Sequence, residues 1–247
     1  MTRPAGPAVS VVIPALNEER AVGRVVGEIP GGLAREVVVV DNGSTDGTAE
    51  AARSAGARVV SEPRRGYGRA CLAGVAALAA DPPDVVVFLD ADGSDVPAEM
   101  PLLLDRIAGG CDLVIGSRTL GLALGRAEPG ALAPQARYGN RLACALLGLL
   151  FGARFTDLGP FRAIRYDALL SIGMRDTNYG WTVEMQLRAA RARLRCAEVP
   201  VSYRRRREGR SKVAGTLRGS VGAGAKILWT IARHAASRDD RPDRSAG

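Results

Sequence analysis

The stretch Val85 to Asp95, reading VVVFLDADGSD, places two carboxylates two residues apart at the end of an apolar, β-branched run. Such a run reads as a buried strand. Side chains alternate faces along a strand, so Asp90 and Asp92, with small Ala91 between them, emerge on one side and can reach one hard cation. The competing reading is a solvated acidic turn, because Asp and Gly favour turns for conformational reasons alone. Two other polar stretches follow apolar runs in the same way. Pro14-Ala15-Leu16-Asn17-Glu18 comes after Val9 to Ile13, and Asp41-Asn42-Gly43-Ser44-Thr45-Asp46 comes after Glu36 to Val40. Acids and hydroxyls of that kind suit hydrogen bonds to a nucleobase and ribose, and equally suit helix N-termini. Arg64-Arg65-Gly66-Tyr67-Gly68 lacks the GK[ST] of a phosphate loop and a full GxGxxG; beside three acidic strand ends it suggests arginines near a diphosphate.

The elements that must carry these residues follow from punctuation and periodicity. Pro14 ends the first strand and Asn17 can cap a helix running to about Glu28. A second strand over Glu36 to Val40, a helix over Thr48 to Ala55, a third strand near Arg58 to Ser61 and an Ala-rich helix over Arg69 to Ala80 lead to the strand before Asp90. Strand and helix thus alternate repeatedly, the pattern of a parallel sheet with helices on its faces. Ligands in such sheets bind beyond the carboxyl ends of the strands, where all three polar stretches fall. Asp95 is placed to cap a helix beginning near Pro97.

Composition narrows the chemistry. Hydrophobic residues make up 47% of 247 and aromatics only 4%, so the core must be built from Val, Leu, Ile and Ala. The net charge of +8 comes almost wholly from arginine, whose fork suits phosphate oxygens. His234 is the only histidine, which leaves mechanisms built on a histidine base almost without a candidate. Cys71, Cys111, Cys144 and Cys196 show no CxxC spacing, so reduced thiols are expected and a zinc site is not. The N-terminus lacks a signal-peptide core and no apolar run reaches the roughly 18 residues of a span. These features predict a cytoplasmic chain, soluble or peripheral on the inner face of the membrane.

The motifs together resemble family 2 glycosyltransferases of the GT-A fold. The resemblance rests on Pro14 to Glu18, Asp41 to Thr48 (DNGSTDGT), Arg65 to Gly74 (RGYGRACLAG) and Asp90-Ala91-Asp92. Asp112 to Arg118 (DLVIGSR), Asn140 to Leu142, Asp157 to Arg162, Trp181 to Met185 (WTVEM) and Gly209 to Lys212 (GRSK) resemble the polyprenyl-phosphate sugar synthase branch. The resemblance implies a mostly parallel α/β sheet flanked by helices, with a C-terminal extension on the acceptor side. It implies that Pro14, Ala15, Asn17, Glu18, Asp41, Ser44, Asp46 and Arg65 hold the nucleotide of a sugar donor. Asp90 and above all Asp92 would hold Mg²⁺ or Mn²⁺ against the diphosphate. Ser117, Arg118, Arg137, Arg204 and Lys212 would face an acceptor phosphate, and Glu184 is a site residue whose role stays open. Two departures stand out: Ser94 replaces the Gln that often assists the metal, and Asp157-Leu158-Gly159-Pro160-Phe161-Arg162 is one residue short.

The implied activity is inverting transfer of a hexose from a UDP- or GDP-linked donor to a polyprenyl phosphate. The same transfer to a soluble phosphorylated or sugar acceptor is the nearest alternative, and a non-catalytic nucleotide- or RNA-binding module is another. No nucleic acid partner is expected. Residues 9–212 are assigned to the transferase domain, with a nucleotide-sugar half to about 118 and an acceptor half beyond it. Leu142 to Ala153, LACALLGLLFGA, fits a buried or interfacial helix, and 213–236 an amphipathic surface helix capable of transient membrane contact. Residues 1–8 and 237–247 read as tails, the latter polar enough to be disordered.

Overall fold

Valine dominates the first half of the chain, and its branched side chain favours the pleated, doubly buried strands seen there. The computed structural model describes residues 6–206 and the helix at 217–236. Seven strands form one sheet in the order β3-β2-β1-β4-β6-β5-β7: β1 (Val9–Ala15), β2 (Glu36–Asp41), β3 (Arg58–Ser61), β4 (Val85–Phe88), β5 (Leu113–Ser117), β6 (Arg162–Arg165) and β7 (Cys196–Pro200). All neighbouring pairs run parallel except those of β6, which is antiparallel to both β4 and β5. The mostly parallel α/β sheet expected from the alternation is therefore the architecture, and the lone reversal lies in the half where the alternation is lost.

The period of two divides the sheet's side chains between two helical layers. Val9, Val11 and Ile13 of β1 pack with Val22 and Val25 of α1 (Glu19–Gly27), Ala52 of α2 (Thr48–Ser54) and Leu103 of α4 (Met100–Ala108). Val12 of the same strand faces the other way, with Ala70 and Cys71 of α3 (Tyr67–Ala77), Leu169 of α7 (Tyr166–Ile172) and Trp181 and Met185 of α8 (Trp181–Arg191). The short α5 (Arg118–Ala123) follows β5 directly. A satellite cluster joins α8 to α6 (Pro134–Phe151) and α9 (Leu217–Ala236) through Ala143, Leu147, Val183 and Ile231. α6 begins eight residues before the apolar stretch that announced it, at a proline suited to a helix's first turn.

Several local expectations are corrected. Asn17 does not cap α1; it adopts a left-handed backbone (φ 51°) and its Oδ1 accepts the Thr45 amide. Asp95 caps nothing: the helical turn starting at Pro97 is preceded by Val96, and Asp95 Oδ2 accepts the amide of Asp90. α3 starts at Tyr67, two residues before the expected position.

Strand β6 starts at Arg162, which is fully buried. Among the described residues its guanidinium has no carboxylate partner; it donates to the carbonyls of Leu158 and Gly159, and of Thr182 at 3.0 Å. Burial lowers its pKa to about 10. The fork thereby ties the turn before β6 to the first turn of α8. Replacing it by an apolar residue would leave those carbonyls unpaired in the interior. Arg162→Met should cost about 2–4 kcal/mol of unfolding free energy, read by denaturant titration; a change under about 0.5 kcal/mol would show that the fork is dispensable.

Candidate active site

Because β6 runs against its neighbours, its first residue sits with the last residues of the other strands. The carboxyl edge therefore gathers the loops after β1, β2, β4, β5 and β7 and the one before β6. The first two loops interlock. The Asn17 amide donates to Ser44 Oγ at 2.9 Å, Asn17 Oδ1 accepts the Thr45 amide at 2.8 Å, and the Glu18 amide donates to Thr48 Oγ1. Asp41 accepts the Ser44 amide and Asp46 the Thr48 amide and hydroxyl. Asn17, Asp41, Ser44 and Asp46 thus shape one another; Pro14 and Ala15 form the end of β1 beneath them.

β4 ends at Phe88, so Asp90 and Asp92 lie in the turn beyond it and not on the strand, and a residue distant in sequence joins Asp92 to Glu18. Arg206 donates through Nη1 to Glu18 at 3.0 Å and through Nη2 to Asp92 Oδ2 at 2.8 Å. Asp92 Oδ1 accepts the Ser94 amide, so Ser94 fixes the acid through its backbone. Asp90 accepts the Tyr67 hydroxyl at 3.1 Å. Burial first, and the charge of Asp92 second, push Asp90 up to about 7. Burial, with Asp90 and Asp92 nearby, likewise raises Asp95, which lies almost wholly inside. The turn after β4 therefore buries carboxylates close to one another.

That crowding is the test of fit for a divalent cation. Among the described residues no three His, Cys, Asp or Glu side chains form a metal cage. Two carboxylates on one short turn, one raised to the neutral range by burial and by the charge of the other, suit a hard cation that completes its shell with ligand phosphates.

The other expected site residues have definite places. Arg118, at the start of α5, gives its amide, Nε and Nη2 to Asp157 at 2.7–2.9 Å, and its guanidinium stacks over Tyr203 at 5.1 Å. Burial opposes the charge of Arg118, but Asp157 outweighs it and holds the guanidinium above its usual range. Ser117 is fully buried: its hydroxyl caps α5 by accepting the Leu120 amide and meets Thr156 at 2.7 Å, so it is closed to an acceptor. Arg204 pairs with Glu28, at the end of α1, at 2.7 Å, and its amide donates to the Ser94 carbonyl. Arg65 and Arg137 are exposed, and Lys212 lies outside the described residues. Arg205 is exposed; its amide donates to Glu128 and its Nε to the Pro129 carbonyl.

Glu184 is buried and fully engaged. It accepts the amides of Arg175 and Asp176 and the Nε of Arg188 at 2.8 Å. It thereby fixes the loop before α8, and that loop seats the start of α3. A Cβ on Gly66 would lie 2.2 Å from the Thr177 carbonyl oxygen, and one on Gly68 2.0 Å from that of Asp176. These glycines admit the chain's own backbone, not a phosphate. They set Tyr67, and Tyr67 holds Asp90. Sequence reasoning missed Tyr67 and Asp157, although each lies in a motif, and it missed Glu198 and the special position of Arg206, which no motif marks. Glu198 accepts the amides of Thr156 and Asp157, fixing the turn that grips Arg118.

Residues 10–169 match the model of glycosyl transferase family 2. An uncharacterised glycosyltransferase of Mycobacterium tuberculosis (strain ATCC 25618 / H37Rv) is 43% identical over 218 residues, 88% of this chain and 94% of that one. A dolichyl-phosphate hexose transferase of Haloferax volcanii is 39% identical over 201 residues, 80% of this chain and 83% of that one. Among solved structures, glucosyl-3-phosphoglycerate synthase from Mycobacterium tuberculosis, in complex with Mn²⁺, UDP-glucose and phosphoglyceric acid, superposes with a TM-score of 0.72 at 26% identity. It covers 98% of this chain and 83% of that one.

The raised pKa of Asp90 has a consequence for stability. In an unfolded chain the group titrates near 3.8, and in the folded one near 7, so between these values the folded state holds the extra proton. Stability then falls as pH rises through that window. Asp90→Asn keeps the Tyr67 contact and removes the titration. Between pH 4 and 8, without metal, the native chain should lose about 1–3 kcal/mol relative to the variant in denaturant titrations; parallel pH profiles would contradict the assignment.

Proposed function

The chain belongs to glycosyl transferase family 2 and is a glycosyltransferase, and on that premise we propose that it moves a hexose, with inversion, from a nucleoside diphosphate sugar to a polyprenyl phosphate. The donor half is 9–118 and the acceptor half 119–212. The interlocked loops at Asn17 and Ser44 take the nucleotide, and Asp90 and Asp92 hold Mn²⁺ or Mg²⁺ against the diphosphate. The cation supplies positive charge that stabilises the departing nucleoside diphosphate. Arg206, balanced between Glu18 and Asp92, is placed to turn one of its N–H edges to the same phosphates. Tyr67 and the Ser94 amide keep the two acids in position while this charge develops.

One observation favours a phosphate acceptor. A hydroxyl nucleophile needs a base to take its proton, whereas a phosphate oxygen is already anionic. Around this edge Asp157 is bound to Arg118, Glu184 to Arg188 and two amides, and Glu198 to the Thr156–Asp157 turn. These three acids are committed to positioning. A lipid phosphate could attack the sugar's anomeric carbon directly, steadied by the remaining N–H groups of Arg118 and by exposed Arg137 on α6. The displaced nucleoside diphosphate leaves with the bonding pair, and no proton moves.

A panel decides between acceptors. With Mn²⁺ and UDP- or GDP-linked hexoses, a short-chain polyprenyl phosphate should yield a sugar phosphodiester detected by mass spectrometry, and 3-phosphoglycerate should yield no product. Transfer to phosphoglycerate with none to the prenyl phosphate would replace this reading by the soluble one.

A further inference from the structure

α6 presents an apolar line to solvent. Tyr138, Leu142, Ala145 and Leu149 recur at the spacing of one helical face, and Leu149 is 80% and Tyr138 72% exposed. The opposite face of the same helix, through Ala143 and Leu147, packs with Ile231 of α9. α9 adds exposed Leu228 and Trp229 to the surface, the indole of Trp229 lying 4.3 Å from Lys226 Nζ and 5.3 Å from the Arg233 guanidinium. Soluble monomers seldom expose so many large apolar groups on adjacent helices without a partner for them.

The surrounding charge says which partner. From Pro129 to Thr156, and throughout Leu217 to Ala236, the sequence contains no acidic residue, while Arg137, Arg141 and Arg154 border the apolar line and Arg233 borders Trp229. A second copy docking symmetrically would bring the cations of these two helices against their own counterparts. An anionic lipid surface meets both halves of the pattern: leucines enter the acyl boundary, arginines meet phosphate headgroups, and a tryptophan flanked by cations suits the interface. No described helix is long and apolar enough to cross a membrane, so contact would be parallel to the surface.

We infer that the exposed faces of α6 and α9 form a docking surface for anionic bilayers. α6 also links this surface to the acceptor side of the site. Its Asn140 donates to the Thr156 carbonyl at 2.9 Å and accepts the Leu158 amide at 2.8 Å, bracing the turn that holds Arg118. A bilayer on the outer flank of α6 therefore lies beside the residues assigned to the lipid phosphate. The inference takes its purpose from that assignment, but its test does not depend on it.

The experiment is flotation of the full chain with vesicles of phosphatidylcholine, alone or mixed with phosphatidylglycerol, without any prenyl phosphate. Flotation is expected with the anionic vesicles only, weakened by salt, and reduced about tenfold or more by Leu149→Glu combined with Trp229→Glu. Both residues are exposed, so the variant should keep its melting temperature and its transfer rate with a detergent-free, water-soluble prenyl phosphate. Failure of the native chain to float, equal flotation of the variant, or a dimer in solution that the variant dissolves would each overturn the inference. Flotation without any transfer would leave this surface standing and remove the lipid-acceptor reading instead.

Discussion

The contact on which the site depends is the bridge from Arg206 to Glu18 and Asp92. A parallel sheet delivers the ends of its strands to one edge, and in this chain those ends carry acids: Glu18 after β1, Asp41 after β2, and Asp90, Asp92 and Asp95 after β4. Acids brought this close resist ionising together. Asp90 shows the effect, held near neutrality by burial and by its neighbour. Arg206 relieves part of it by joining two loops far apart in sequence with one guanidinium, in a geometry that no single-loop residue could reach. The remainder is a site poised for added positive charge, which is what a metal bound to a diphosphate donor provides.

Around this bridge stands a set of buried groups whose work is placement. Glu184 pins the loop before α8; that loop seats the glycines opening α3; Tyr67 of α3 then holds Asp90. On the other flank Glu198 fixes the Thr156–Asp157 turn, and Asp157 locks Arg118. Both chains of contact run from a carboxylate, through backbone amides, to a residue at the edge. Carboxylates used in this way are unavailable as bases, so the architecture that stiffens the site also favours chemistry in which no proton has to be removed.

The sheet and the acidic pair were legible in the sequence because both depend on short-range pattern. Valine runs ending in Asp, separated by helical stretches, describe parallel strands whether or not their partners are known. The reversal of β6 was not legible, because it lies in the pairing of β6 with β4 and β5, strands that precede it by more than forty residues. The partners of individual residues were hidden for the same reason. Arg204, Arg205 and Arg206 are adjacent and chemically alike, yet their guanidinium groups serve Glu28, the Pro129 carbonyl and the Glu18–Asp92 pair respectively. Ser117 carries a hydroxyl at a strand end, as an acceptor ligand would, and spends it capping α5. The glycines near Arg65 resemble a phosphate cradle and admit backbone instead. In each case residue type was read correctly, and the partner was set by tertiary packing that no local window contains.

The central claim, that Asp90 and Asp92 hold a cation against a donor diphosphate, is tested most directly by calorimetric titration of nucleoside diphosphate sugar with and without Mn²⁺, in the native chain and in Asp92→Asn. The account predicts binding that strengthens about tenfold or more with Mn²⁺ in the native chain, and a loss of that enhancement in the variant. Equal, metal-independent affinity in both proteins would contradict it.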